Sequence, residues 1–174
     1  GGNEVTWLLV DRKGTTSEQG ESNIGLFGCV NGAEISNLTI NNGYVAGHSN
    51  VGAAAGKAVE SSFSHVESNV EIFAQYITDH SGTRGGDFVG GIVGLAQNCT
   101  IRNCNNYSYV SGDRRVGGIT GGFSGTMADC INYKDIRSGN EYCAGIIGTQ
   151  NGQDQMVVTG CINHGRISGL VAGG

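Results

Sequence analysis

Proline is absent from the 174 residues, aromatic residues make up 7% of them and charged residues only 14%. Without proline the chain is not collagen, whose triple helix needs it together with glycine at every third position. With so little charge it is not a coiled coil, whose heptads carry charged flanks. Ten basic against 15 acidic residues leave a net charge of −5, too little to keep a chain disordered by repulsion. Scattered Lys and Arg within an acidic total also argue against a nucleic-acid-binding surface. No apolar run approaches the roughly 18 residues that cross a membrane, so no membrane insertion is expected. The first residue is not Met, no signal peptide is recognisable, and the Gly-Gly ends read as those of a piece cut from something longer.

Glycine, by contrast, occupies 32 positions, and much of it recurs in a pattern. Ile24-Gly25-Leu26-Phe27-Gly28 returns as Val51-Gly52-Ala53-Ala54-Ala55-Gly56 and as Val89-Gly90-Gly91-Ile92-Val93-Gly94. It returns again as Val116-Gly117-Gly118-Ile119-Thr120-Gly121, as Cys143-Ala144-Gly145-Ile146-Ile147-Gly148, and begins once more at Leu170. The starting positions 24, 51, 89, 116, 143 and 170 are spaced by 27, 38, 27, 27 and 27 residues. The period is therefore 27, with one insertion of 38 − 27 = 11 residues. A second segment aligns Ile35-Ser36-Asn37-Leu38 with Phe63-Ser64-His65-Val66, Ile101-Arg102-Asn103-Cys104, Met127-Ala128-Asp129-Cys130 and Val158-Thr159-Gly160-Cys161. A third ends the unit at Val45-Ala46-Gly47, Val110-Ser111-Gly112, Ile136-Arg137-Ser138-Gly139 and Ile167-Ser168-Gly169.

Three short apolar segments per unit, parted by Gly, Asn, Ser and Asp, are strands and turns; none has helical periodicity. Such a unit cannot bury a core alone, but a stack of them can. The expected fold is all-β: a parallel β-solenoid, a right-handed β-helix of about five 27-residue coils with three strands each. Residues 24–174 form the solenoid, and residues 1–23, with the lone Trp7, form a degenerate first coil or cap.

The repeats resemble GLUG-motif repeats of bacterial surface proteins. Gly25-Leu26-Phe27-Gly28 fits the motif, residues 89–112 match the fuller Val-Gly-Gly-Ile-Val-Gly, Ile-x-Asn-Cys, Val-Ser-Gly pattern, and residues 116–139 nearly do. Ala53-Ala54-Ala55 and the insertion depart from it. The resemblance implies an extracellular or cell-surface location within a large secreted or wall-anchored protein, adhesin-like or a non-catalytic region of IgA-cleaving metallopeptidases. It transfers no catalytic residue.

The reactive residue types read mostly as scaffold. Leu38, Val66, Cys104, Cys130 and Cys161 share one repeat position, and a site that accepts Leu and Val is an inward core position. Equivalent positions of stacked coils are about 4.8 Å apart, so a Cys104–Cys130 or Cys130–Cys161 disulfide is sterically open. Cys161-x-x-His164 and Cys99-x4-Cys104 have no partner pair at zinc-site spacing, so no metal is expected. Gly-Gly-x-x-Gly recurs without a following helix, unlike a phosphate loop. Asn105, Asn132 and Asn163 follow the core cysteines and suit a corner hydrogen-bond stack. The sequons at Asn37, Asn98 and Asn106 are what an Asn/Thr-rich repeat produces by chance.

Among the acids, Glu67, Glu71, Asp129 and Asp135 recur at no common repeat position, so a β-helix polysaccharide-degrading enzyme lacks its carboxylate pair. The feature the scaffold does not require is the insertion, residues 75–88. It gathers Tyr76, Asp79, His80, Arg84 and Asp87, an aromatic with hydrogen-bonding neighbours suited to a host glycoprotein or polysaccharide. No cofactor is expected. The readings in order are a non-catalytic spacer or adhesive module, a carbohydrate- or glycoprotein-binding module, and an enzyme, with self-association through an uncapped solenoid end.

Overall fold

The computed structural model describes residues 2–12, 14–15, 18–19, 21–74, 85–152, 155–169 and 172–173. Among them there is no helix, and the strands of the main sheet pair in parallel as the turns of a β-solenoid. Equivalent repeat positions face one another: Ile24 pairs with Val51, Val51 with Val89, Val89 with Val116, and Val116 with Cys143. The 11 additional residues between Val51 and Val89 leave this register undisturbed, because an insertion at a corner need not enter a ladder.

A coil is typified by the strands Val93–Arg102, Asn105–Asn106 and Val110–Gly117, followed by their counterparts Thr120–Ala128, Ile131–Asn132 and Ile136–Ala144. Their phase differs from the apolar segments of the sequence. Val-Gly-Gly-Ile-Val-Gly holds a corner, since pairing stops at Gly90 and resumes at Val93 after a bend. The corners use left-handed backbone in rows. Asn23, Asn50, Phe88, Arg115 and Tyr142 form one, with φ from 50° to 61°; Asn37, His65, Asn103 and Asp129 form another, with φ from 51° to 54°. Asn and Asp tolerate this region best, and the bulky residues in it need support from their surroundings.

Inside, the strands alternate with a period of two: in Ser62–Ala74, Val66, Ser68, Val70, Ile72 and Ala74 point inward, and the left-handed His65 shifts the phase so that Phe63 also does. The row Leu38, Val66, Cys104, Cys130 runs through the core with every member buried, and Cys161 ends it half-buried. All six cysteines are free thiols. The hydrogen bond with Cys104, together with burial, pushes the Cys130 pKa up to about 12 against the opposing effect of its bond with Cys161. Cys161 is raised too, first by its bond with Cys130 and then by burial.

A second inward row carries the corner. Asn106, Asn132 and Asn163 lie in register, with Asn106 Nδ2 donating to Asn132 Oδ1 at 2.8 Å and Asn132 Nδ2 to Asn163 Oδ1 at 2.7 Å. Each amide also donates to the carbonyl two residues on, of Ser108, Lys134 and Gly165. The member from the third coil is Asn106, where the sequence reading places Asn105. Asn132 and Asn163 stand two residues after Cys130 and Cys161, and the pairing Asn106↔Asn132 puts the residue two after Cys104 in the row, with Asn105 opposite Ile131.

The second glycine of the motif packs on this row. A Cβ on Gly91, Gly118 or Gly145 would strike the side chain of Asn106, Asn132 or Asn163 respectively. In the second coil the row holds Ser68, and the glycine is replaced by Ala53; in the first it holds Ile40, opposite Leu26. Glycine against asparagine holds in three coils, and the shorter Ser68 leaves room for the Ala53 methyl in the second, while the first coil departs with Leu26 and Ile40.

At the N-terminal end, Asn3–Asp11 adds a parallel strand on Leu38–Ala46, with Val5, Leu8 and Val10 against the core. The expected cap is thus a further rung. Trp7 does not cover it, being 72% exposed on left-handed backbone, and no described strand pairs with its outer edge.

Candidate functional site

The residues outside the core rows gather in two places. The first is a lateral groove of about 580 Å³ beside the Leu38–Val66–Cys104–Cys130 row. One wall is the left-handed row Asn37, His65, Asn103 and Asp129, whose side chains the αL backbone turns outward; all four are exposed. The other wall is the in-register row Thr39, Glu67, Asn105 and Ile131. Asn105 Nδ2 donates to Glu67 Oε1 at 3.3 Å. Amide, imidazole and carboxylate groups repeat every rung, about 4.8 Å, so the groove offers donors and acceptors along a line.

The second place is the corner that precedes the Val89 row. The strands before and after residues 12–21 and 75–86 belong to the same pair of ladders, so both segments begin and end at one corner. Asp87 lies there, buried, with Arg114 Nη2 at 3.4 Å and Arg115 Nη1 closer still. The Phe88 N–H donates to Asp87 Oδ1 at 3.0 Å. Burial outweighs both guanidinium groups and raises the Asp87 pKa above the usual carboxylate value. Arg115 sits between two rings, its guanidinium carbon 4.9 Å from the Phe88 centroid and 6.0 Å from that of Tyr142. These three occupy the strained left-handed row, and the stack offsets part of that strain.

Of the five residues singled out in the insertion, Tyr76, Asp79, His80 and Arg84 lie outside the described residues. Asp87 belongs to the strand Asp87–Gly90, where it is an internal ion-pair partner. Arg114 and Arg115 were not visible as its partners in sequence, because they stand one coil away; the 27-residue offset is the signal that finds them.

The acids do not converge. Glu67 and Asp129 share the lateral groove but stand on opposite walls, two rungs apart, which is about 10 Å. Glu71 and Asp135 share an outward row with Tyr109 between them, and Asp135 pairs with Arg166 at 3.6 Å. No group of three or more His, Cys, Asp or Glu among the described residues is placed to hold a metal ion. The aromatic ladder on the flank is closed on itself. Tyr107 and Tyr133 stack at 4.7 Å, and Tyr133 and His164 at 5.4 Å, so their inner ring faces are not offered to a sugar. Among the sequons, the Asn106 side chain is buried in the corner row and closed to modification, while Asn37 and Asn98 are exposed.

No family model, no curated protein and no solved structure matches this chain.

Proposed function

We propose that this chain is a non-catalytic repeat module of a large bacterial surface protein, acting as a rigid spacer with an adhesive flank. One observation carries the reading: the chemically capable side chains are spent on rung-to-rung contacts. The Asn106–Asn132–Asn163 row, the Cys104–Cys130–Cys161 row and the Asp87–Arg115 pair each bind a neighbouring coil. The carboxylates two rungs apart support the absence of catalysis, since shared proton work needs closer groups. The bacterial and cell-surface parts of the proposal rest on the GLUG resemblance.

A second reading, a carbohydrate- or host-glycoprotein-binding module, is favoured by the lateral groove and by the 11-residue insertion that begins and ends at one corner. Panels of host glycoproteins and polysaccharides, with product release followed in the same wells, test both. A spacer gives neither binding nor product. Saturable binding that is lost in His65→Ala and Asn103→Ala places recognition in the groove. Loss on shortening residues 75–86 places it at the corner. New reducing ends or unsaturated sugars would overturn the non-catalytic reading.

A further inference from the structure

One row of polar side chains is left over by the scaffold. Other rows close on themselves. Asn50 Nδ2 donates to Asn23 Oδ1 at 2.7 Å, Asn69 Nδ2 to Asn41 Oδ1 at 3.4 Å, and the inward asparagines bond along their whole row. Asn37, His65, Asn103 and Asp129 stand one above another in the same way. Yet among the described residues none of their side chains makes a hydrogen bond to the protein. All four are exposed and line the lateral groove. No Lys, Arg, Phe, Tyr or Trp lines it among the described residues.

These walls fit an occupant that is rich in hydroxyls, uncharged and linear. Amide, imidazole and carboxylate groups between them donate to and accept from alcohols. Glu67 and Asp129 face the groove with no cation beside them in its lining, which disfavours an anion. The free groups return at every rung, about 4.8 Å, along the solenoid axis. A β-1,4-linked pyranose chain advances by nearly the same distance per ring and carries hydroxyls on both edges. An extended peptide advances about 3.4 Å per residue and falls out of step. It also binds through its backbone at a sheet edge, whereas the groove lies on a face whose ladders are already paired.

We propose that the lateral groove binds an uncharged β-1,4-linked polysaccharide along the solenoid axis, one ring to a rung, held by Asn37, His65, Asn103 and Asp129. This rests on the carbohydrate-binding reading and gives it a site and a ligand class. With no ring to stack on, each sugar contributes a weak, hydrated contact, and the contacts sum along the chain.

The test titrates cello-, manno- and N-acetylchito-oligosaccharides of two to six rings onto the full chain by calorimetry, beside the panel of glycoproteins and polysaccharides. At least one of the three series is expected to bind, with affinity climbing several-fold from two rings to four. Oligomannuronate, which differs from the manno series in its carboxylates, is expected to bind more weakly than the neutral chain, and Glu67→Gln combined with Asp129→Asn to narrow that gap. Asn37→Ala and Asn103→Ala are each expected to lower affinity for the neutral chain several-fold with the circular dichroism unchanged. Binding that ignores ring number, Asn103→Ala or the mannuronate carboxylates overturns the proposal. If the neutral series fail while another member of the panel binds, the ligand class is wrong and the binding-module reading stands; if nothing binds, both fall.

Discussion

The fully buried Asn132 side chain sits in the middle of its row and is bonded to the rungs on both sides. Its amide donates to Asn163 Oδ1 and the Lys134 carbonyl, and its oxygen accepts from Asn106. Asn132→Ala leaves these partners without it in a site that water does not reach, at an expected cost of about 3 kcal/mol in urea unfolding. Asn163→Ala, on a half-buried rung where water can replace the lost partner, is expected to cost less than half as much. The thiol row makes a different prediction. The Cys130 pKa is raised from 9.0 to about 12, so the folded chain keeps a proton that the unfolded chain releases. This contribution is intact below pH 9.0 and disappears as pH rises through about 12. Cys130→Val, a residue type the same row already holds at Val66, should flatten that alkaline loss when stability is followed from pH 8 upward by denaturant titration, relative to the parent protein. The inward placement of this row was legible in the sequence, because Leu38 and Val66 occupy the same position. The inward asparagine was legible too, two residues after each cysteine of the row; reading Asn105 instead slips one position along the strand, which reverses the side-chain direction.

At the level of strands and corners, the repeat is a volume code. Gly118 is not on left-handed backbone, so its lack of a side chain is required by space alone: a methyl would meet the Gly145 carbonyl and the Asn132 side chain. Gly118→Ala is expected to destabilise by about 3 kcal/mol. Gly32 has φ of 61° with open space around it, so Gly32→Asn should be nearly neutral. Thermal unfolding of the two variants side by side separates steric from conformational need for glycine. The corner within Val-Gly-Gly-Ile-Val-Gly was hidden from sequence reasoning for the same cause. An apolar run of six residues is continuous in composition whether or not the chain bends in it. The recurring Asn, Asp and His ahead of the Leu38 row were the visible trace of left-handed backbone, but Phe88, Arg115 and Tyr142 in the other such row gave none.

As a whole, the molecule is a one-dimensional stack in which a coil touches only its neighbours. Stability should therefore fall toward both ends. Native-state hydrogen exchange is expected to find the amides of Val93–Arg102 and Thr120–Ala128 the most protected, and those of Asn3–Asp11 and Met156–Thr159 the first to exchange. Uniform protection along the rod would contradict nearest-neighbour stacking. The same linear logic sets the length of the lateral groove, since every added coil extends it.

The sequence by itself determined the period, the parallel stacking, the all-β class and the inward cysteine row. Each follows from recurrence at 27 residues, and recurrence is readable without coordinates. Tertiary structure alone decided where the corner falls, that Asp87 meets Arg114 and Arg115, and that His65, Glu67, Asn103 and Asp129 line one groove. The physical reason is that these contacts run across rungs. Their partners lie 26 to 38 residues away in the chain, and a shift of one position in the register would have chosen others.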